Sequence, residues 1–187
     1  QPGLGKTEAA IMACLDPSTN YTRTNGPTII VAPSYLTEMW FDRIVEYLPE
    51  APVVLASGTR SAREKILKLR ADWYIINYEM LTSRPARDLS KAPNCPKLPN
   101  GKPDMARLEY LRTYKPREYK LAIQLPTFPL PRPTNVIFDE SHHLKNPNGS
   151  QAQSAAELVL SPDINVIMLS GTPIKRDPDD LYMQMHI

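Results

Sequence analysis

The 187-residue sequence has few of the features that mark membrane, secreted or metal-scaffold proteins. No apolar run approaches the roughly 20 residues that a membrane helix needs, and the first residues lack a charged-then-apolar targeting pattern. The two cysteines, Cys14 and Cys95, lie far apart, without the spacing of a zinc site or a disulfide framework. These absences predict a soluble intracellular domain with no membrane partner.

The chain also has little net charge, +2, but this charge is unevenly distributed. Residues 84–133 contain 11 Lys and Arg against 4 Asp and Glu, together with 10 of the 20 prolines. A proline density of this kind disfavours long helices and central strands. The composition therefore predicts a basic, proline-rich, extended or irregular insertion, in which only Asp104–Tyr114 has a helical pattern.

Outside the insertion, short β-branched runs alternate with helical patterns, which is typical of a parallel sheet covered by helices. The predicted strands are Thr28–Ala32, Val53–Ala56, Trp73–Asn77, Asn135–Asp139 and Asn165–Ser170. The predicted helices are Thr7–Leu15, Tyr35–Tyr47, Ser61–Arg70, Ser150–Leu160 and Pro178–His186. The length suits a single α/β domain with a core of ordinary size.

Gly3-Leu4-Gly5-Lys6-Thr7 matches the later half of a phosphate-binding loop. Glycines let successive backbone N–H groups point at phosphate oxygens, and the helix that follows presents its positive end to the same anion. Lys6 would neutralise the β- and γ-phosphates of ATP, and the Thr7 hydroxyl would bind Mg²⁺. Taken alone, the string is also compatible with an ordinary glycine turn. The first position of the motif and its preceding strand would lie before Gln1, which suggests a lobe truncated at its N-terminus.

A second signal is the apolar run Val136–Phe138, which ends in the paired carboxylates Asp139 and Glu140. Ligands bind at the carboxyl edge of parallel sheets, so both side chains should face the phosphate loop. Phosphoryl transfer to water needs a metal and a group that orients or deprotonates the water. Asp139 is predicted to serve Mg²⁺ and Glu140 the attacking water. A solvated acidic turn is the alternative, and the upstream GLGKT string argues against it.

The string Asp139–Asn146 (DESHHLKN) resembles the DEAHRLKN signature of the Swi/Snf family, with Ser141 in place of alanine and His143 in place of arginine. Other motifs follow in the family's order, and they are TIIVAPS at Thr28–Ser34, INYEML at Ile76–Leu81 and LSGTPI at Leu169–Ile174. The resemblance covers almost the whole chain except the insertion.

The resemblance implies a RecA-like P-loop lobe, residues 1–187, that binds ATP and Mg²⁺ against a second RecA-like lobe absent from this sequence. Nucleic acid would cross both lobes, and the isolated lobe would hydrolyse ATP very slowly. Implied nucleotide contacts are Gly3, Leu4, Gly5, Lys6, Thr7, Glu8 and His142, while Ser170, Gly171 and Thr172 would couple hydrolysis to motion. Implied nucleic-acid contacts are Pro33, Ser34, Tyr35, Ser57, Gly58 and Asn77.

For Trp40, the two adjacent histidines and the insertion, the sequence also allows structural roles. Trp40 is predicted to pack in the core rather than stack on bases, because aromatic residues at helical spacing usually pack. His142 and His143 are adjacent and point differently, so a zinc site is not predicted and His143 is interpreted as structural. The insertion could grip DNA, dock a protein, or be a solvated excursion.

The function that the resemblance implies is a DNA-dependent ATPase that moves along double-stranded DNA. A strand-separating DNA or RNA helicase shares the ATP-binding motifs, and a nucleotide-binding scaffold that no longer cycles is the non-enzymatic alternative. Retention of Lys6, Thr7, Asp139 and Glu140 together argues against the scaffold. The expected location is the nucleus in a eukaryote and the cytoplasm in a prokaryote or a virus-infected cell.

Overall fold

The computed structural model describes residues 5–19, 22–81, 83–85, 88–92, 94–122, 124–126, 130–146 and 149–171. Within these residues the strands are β1 (Thr28–Ala32), β2 (Val53–Leu55), β3 (Trp73–Asn77), β4 (Ser83–Pro85), β5 (Gln124–Pro126), β6 (Asn135–Phe138) and β7 (Asn165–Met168). The helices are α1 (Lys6–Ala13), α2 (Thr37–Tyr47), α3 (Arg60–Ile66), α4 (Met105–Tyr114), α5 (Pro116–Ala122) and α6 (Ser150–Leu158). The predicted helix Pro178–His186 lies outside the described residues.

Five of these strands form one parallel sheet in the order β2-β3-β1-β6-β7. They are the five predicted strands, and the α/β fold class is confirmed. Because all five run in the same direction, their carboxyl ends meet at one edge of the sheet. The residues that follow Ala32, Leu55, Asn77, Phe138 and Met168 are therefore brought together there.

The sheet has a hydrophobic core on each face, as expected for parallel strands. Ile29 and Val31 of β1 point into one core, and Ile30 and Ala32 point into the other. Successive side chains of a strand alternate between faces, so one all-apolar strand supplies both cores. Helices α1 and α2 cover the second core, and α6 covers the first.

Helix α2 shows how the sequence sets this packing. Trp40 and Ile44 lie four residues apart on one face and are fully buried, while Glu38 and Asp42 on other faces are exposed. Residues at i and i+4 share a helix face, so this spacing directs both apolar side chains onto the sheet. The predicted core position of Trp40 is confirmed.

The insertion is more regular than its composition predicts. It leaves the domain at β4 and returns at β5, and these two strands pair as an antiparallel ribbon. Helix α4 falls where the sequence analysis placed one, with Asp104 as its N-cap, while α5 was not predicted. Apolar side chains of the insertion pack into a small core of their own, which includes Cys95, Leu108 and Leu111.

Glu157 on α6 gives a prediction about stability. Burial raises the pKa of its carboxyl from 4.5 to about 7, and its Oε1 has no hydrogen-bond partner among the described residues. A raised pKa favours the protonated group in the folded state, so this contribution to stability is full below pH 4.5 and lost as pH rises through 7. Glu157→Gln should therefore stabilise the protein at pH 8 by about 1 kcal/mol, or roughly 3 °C in thermal unfolding, after allowance for solvent screening.

The matched control for this prediction is Glu50→Gln, which removes an exposed carboxylate. It should leave the unfolding temperature nearly unchanged at both pH values. An equal gain from Glu157→Gln at pH 4.5 and pH 8 would show that the charge of Glu157 does not destabilise the folded protein.

Among the helices that the structure describes, none has the length and apolar character needed to span a bilayer.

Candidate functional site

The carboxyl ends of β6 and β7 bring the two carboxylates and the Leu169–Gly171 segment side by side. Backbone hydrogen bonds continue past the strands, from Leu169 N to Phe138 O at 2.9 Å and from Ser141 N to Leu169 O at 2.8 Å. Asp139 N also donates to Val31 O on β1, at 2.9 Å. These bonds fix the two segments next to each other at the centre of the sheet edge.

The phosphate-loop segment reaches the same edge. Gly5 adopts a left-handed conformation with φ of +69°, and α1 begins directly after it at Lys6. The Lys6 ammonium lies 3.8 Å from the point where a Cβ on Gly171 would sit. The lysine ammonium therefore lies within van der Waals distance of the Gly171 position just beyond the end of β7.

The remaining predicted nucleotide contacts divide into two groups. Thr7 and Glu8 lie in the first turn of α1, where the helix N-terminus favours anions. Gly3 and Leu4, and Thr172 of the predicted coupling segment, lie outside the described residues.

Asp139 is almost completely buried, at 8% exposure, and its carboxylate is held on both oxygens. The indole N–H of Trp40 donates to Oδ2 at 2.8 Å, and the backbone N–H of Glu140 donates to Oδ1 at 2.9 Å. The Tyr78 hydroxyl donates to the backbone carbonyl of Asp139 at 2.8 Å. Sequence analysis did not predict these roles: Trp40 was assigned to the core, and Tyr78 appeared only within the INYEML motif.

Glu140 turns its carboxylate towards Gly171. Its Oε2 accepts from the Gly171 backbone N–H at 3.5 Å and lies 3.2 Å from His142 Nδ1, without hydrogen-bond alignment to the imidazole. Glu140 and Lys6 thus both approach the same residue, Gly171.

The backbone of Glu140 is left-handed, with φ of 48° and ψ of 51°, and among the described residues it alone does this without being glycine. Such a conformation costs a residue with a Cβ about 1–2 kcal/mol. Glu140→Gly should therefore be about 1 kcal/mol more stable than Glu140→Ala, measured by denaturant unfolding. If Glu140→Ala proves the more stable variant, the left-handed backbone at this position carries no strain.

A stack of three rings lies beside the carboxylates, so the rings of His142 and His143 lie face to face and do not point in different directions as the sequence analysis expected. The ring of His143 lies 5.0 Å from that of Tyr78 and 4.9 Å from that of His142, each with an interplanar angle of 24°. Burial, and then the nearby charges of Asp139 and Glu140, raise the pKa of the Tyr78 phenol. Tyr78 therefore stays a neutral donor, and the stack joins its turn to the segment after β6.

The oxygen atoms at this edge suit Mg²⁺. Mg²⁺ prefers carboxylate, hydroxyl, water and phosphate oxygens, and it commonly takes one or two ligands from the protein. The Thr7 hydroxyl and the Asp139 carboxylate have that chemistry. No group of three or more His, Cys, Asp or Glu side chains that could hold a metal ion occurs among the described residues.

The predicted nucleic-acid contacts follow three adjacent strands. Ser34 and Tyr35 after β1 are exposed, with Tyr35 at 75%, and Ser57 and Gly58 after β2 are exposed as well. Pro33 is buried, so its side chain is not available for contact. Asn77, at the end of β3, is half-buried, and its Oδ1 has no hydrogen-bond partner among the described residues. These positions form one row along the sheet edge, next to the carboxylates.

Comparisons with known proteins all match the chain to SNF2-related proteins. The family model of the SNF2-related domain matches residues 1–187. The chain is 26% identical over 98% of its length to "SWI/SNF-related matrix-associated actin-dependent regulator of chromatin subfamily A-like protein 1" of Xenopus tropicalis. It is 25% identical, again over 98% of its length, to the "CHD3-type chromatin-remodeling factor PICKLE" of Arabidopsis thaliana.

Among solved structures, the chain resembles the "Sulfolobus solfataricus SWI2/SNF2 ATPase core in complex with dsDNA", with a TM-score of 0.54 and 18% identity. This likeness covers 99% of the chain and supports the RecA-like fold. The chain spans 14% and 12% of the two curated relatives and 29% of the solved core.

Proposed function

Because the chain belongs to the SNF2-related domain family, we propose that it is the ATP-binding lobe of an ATP-hydrolysing motor that moves along double-stranded DNA. The observation that carries the proposal is the meeting of Lys6 and Glu140 at Gly171. A phosphate-binding cation and a carboxylate base that both approach one glycine would form a site for a terminal phosphate and its attacking water.

Each residue has a distinct part in binding the nucleotide. Lys6 and the N-terminal N–H groups of α1 bind the β- and γ-phosphates, and Gly3, Leu4, Gly5 and Glu8 are the further contacts of the phosphate-binding loop. Thr7 and Asp139 would hold Mg²⁺, directly or through water. Bound Mg²⁺ supplies charge neutralisation on the phosphate oxygens during transfer.

Hydrolysis requires a water aligned with the γ-phosphate. Glu140 accepts its proton or orients it, and His142 lies beside the same carboxylate to sense the phosphate. Ser170 and Gly171, with Thr172, couple the state of the γ-phosphate to the rest of the molecule, since the Gly171 N–H already faces Glu140.

The proposed polymer is double-stranded DNA. The solved SWI2/SNF2 core was captured on such DNA. The proposed contacts are the exposed Ser34, Tyr35, Ser57 and Gly58, together with the half-buried Asn77. Small hydroxyls and backbone amides bind phosphates without reading bases, so binding independent of sequence is expected. A buried Pro33 contributes through its backbone alone.

The lobe is proposed to work with a second RecA-like lobe of the same protein. An arginine from a partner lobe can increase phosphoryl transfer 10³–10⁵-fold, so the lobe by itself should hydrolyse ATP very slowly. The basic insertion, residues 84–133, would provide an additional contact for a protein partner or for DNA. Since the relatives named above are chromatin proteins of a frog and a plant, a nuclear location is proposed for a eukaryotic source.

The proposal is tested by steady-state ATP hydrolysis of the full-length protein with duplex DNA, single-stranded DNA or RNA. Glu140→Gln serves as the blank. Strong stimulation by duplex DNA supports a double-strand translocase. Preference for single strands or RNA would instead indicate a strand-separating helicase, and ATP binding without hydrolysis on any polymer would indicate a scaffold.

A further inference from the structure

The aspartate proposed to hold Mg²⁺ is fixed by two side chains from distant parts of the sequence. Trp40 lies 99 residues before Asp139 and donates its indole N–H to Oδ2. Tyr78 lies 61 residues before it and donates its hydroxyl to the backbone carbonyl. One bond orients the carboxylate, and the other holds the backbone from which that carboxylate extends.

Both hydrogen bonds are buried, which increases their effect on geometry. Trp40 is 0% and Tyr78 2% exposed, so water does not compete for either contact. A hydrogen bond to an ionised acceptor is roughly twice as strong as one between neutral groups, and low surrounding polarity strengthens it further. With Oδ2 occupied by the indole, the carboxylate has a defined rotation about its side-chain bonds.

We propose that Trp40 and Tyr78 are positioning residues that set the orientation of Asp139 for Mg²⁺ bound with ATP. The inference rests on the proposed function. Trp40 is carried by α2, which follows Ser34 and Tyr35, and Tyr78 directly follows Asn77. The metal-binding carboxylate is thus attached to the two segments whose neighbouring residues are proposed to contact DNA.

The alternative is that Trp40 only fills the core, and the chain contains a matched control for this. Trp73 on β3 is also 0% exposed and belongs to the same core, but its indole N–H has no hydrogen-bond partner among the described residues. Trp40→Phe and Trp73→Phe remove the same atoms from the same core. They differ in that Trp40→Phe deletes a bond to Asp139.

A similar pair exists for tyrosine. The hydroxyl of Tyr74 donates to Leu69 O at 2.7 Å and accepts from Ala71 N at 2.9 Å, far from Asp139 in the chain. Tyr74→Phe therefore loses a partly buried bond to a backbone carbonyl, where Tyr78→Phe loses a buried one, and it does not release the aspartate. The ring of Tyr78, and its stack with His143, remain in Tyr78→Phe.

The first experiment measures the affinity of a fluorescent ATP analogue for the full-length protein in Mg²⁺ and in EDTA. Trp40→Phe should weaken binding about tenfold in Mg²⁺ and have little effect in EDTA, since the lost bond is to a charged group. Tyr78→Phe should weaken it about threefold in Mg²⁺, in line with a bond to a neutral carbonyl. Trp73→Phe and Tyr74→Phe should leave the ratio of the two affinities unchanged. Equal effects of Trp40→Phe and Trp73→Phe would overturn the inference.

The second experiment does not depend on nucleotide. In protein labelled with nitrogen-15 at its indoles, the Trp40 signal is assigned by its loss in Trp40→Phe, and the Trp73 signal likewise. Asp139→Asn should shift the Trp40 signal and leave that of Trp73 in place, and an unmoved Trp40 signal would refute the contact. If the wild type binds no nucleotide in Mg²⁺ or EDTA, the proposed function fails, whereas wild-type binding with no Trp40 effect rejects the positioning role alone.

Discussion

Replacing Glu140 with glutamine should lower DNA-stimulated ATP turnover about 10³-fold while leaving nucleotide affinity within a few-fold of the wild type. The amide keeps the size of the side chain and can still accept from the Gly171 N–H, which lies 3.5 Å from Oε2. It cannot take a proton from water. The loss therefore falls on the chemical step, and turnover and affinity respond differently.

The measurement is steady-state hydrolysis together with equilibrium binding of ATP, both in full-length protein. Glu50→Gln, which changes an exposed glutamate in the turn after α2, is the matched control and should retain full activity. Retention of more than a tenth of wild-type turnover by Glu140→Gln would remove Glu140 from the role of base.

Lys6→Met should weaken ATP binding by more than 100-fold and abolish hydrolysis with it. Methionine preserves the length of the side chain but removes the ammonium that lies close to Gly171. Loss of one partner from a desolvated charge pair costs about 3 kcal/mol, which corresponds to a little over 100-fold in affinity. The effect on binding separates this variant from Glu140→Gln.

Lys65→Met is the control for Lys6→Met, because Lys65 is exposed in the last turn of α3. Isothermal titration with ATP in Mg²⁺ is the measurement, with thermal unfolding to verify that both variants fold. Affinity within threefold of the wild type in Lys6→Met would show that the lysine does not contact the phosphates.

The sheet was predictable because its strands are short apolar runs buried on both faces. β1 and β3 have the predicted bounds. The other three strands of the sheet end at Leu55, Phe138 and Met168, one or two residues before their predicted ends. The backbone N–H of Asp139 still donates a hydrogen bond to β1, but the chain turns after this residue. The regular strand thus ends just before the residues of the candidate site. An apolar sequence pattern does not show at which residue the chain leaves the sheet.

In the insertion, amino-acid composition predicted the secondary structure less well than the apolar pattern did in the sheet. Proline was interpreted as an obstacle to helices, yet Pro116 is the first residue of α5 and Pro103 comes just before the Asp104 cap of α4. The first turn of a helix tolerates proline, since its N–H would have no partner inside the helix anyway. The positions of the prolines, rather than their number, indicated the two helices.

Trp40 shows a second limit of prediction from sequence, which concerns hydrogen-bond partners. Its burial followed from helical spacing, but its indole N–H finds Asp139 across 99 residues of sequence. Periodicity identifies the face of a helix that is buried and carries no information about which polar atom that face will meet. The sequence indicated a partner only in the sense that a buried indole N–H usually has one.

The ribbon of β4 and β5 makes the domain unusually tolerant of change at one place. Ser83 pairs with Pro126 and Pro85 with Gln124, so the chain leaves and re-enters the lobe at neighbouring points. The intervening residues bring their own core, with Leu108 and Leu111, and the central sheet does not rely on it. We therefore expect a change in the length of this insertion, or a fluorescent reporter grafted into it, to leave the ATP site undisturbed.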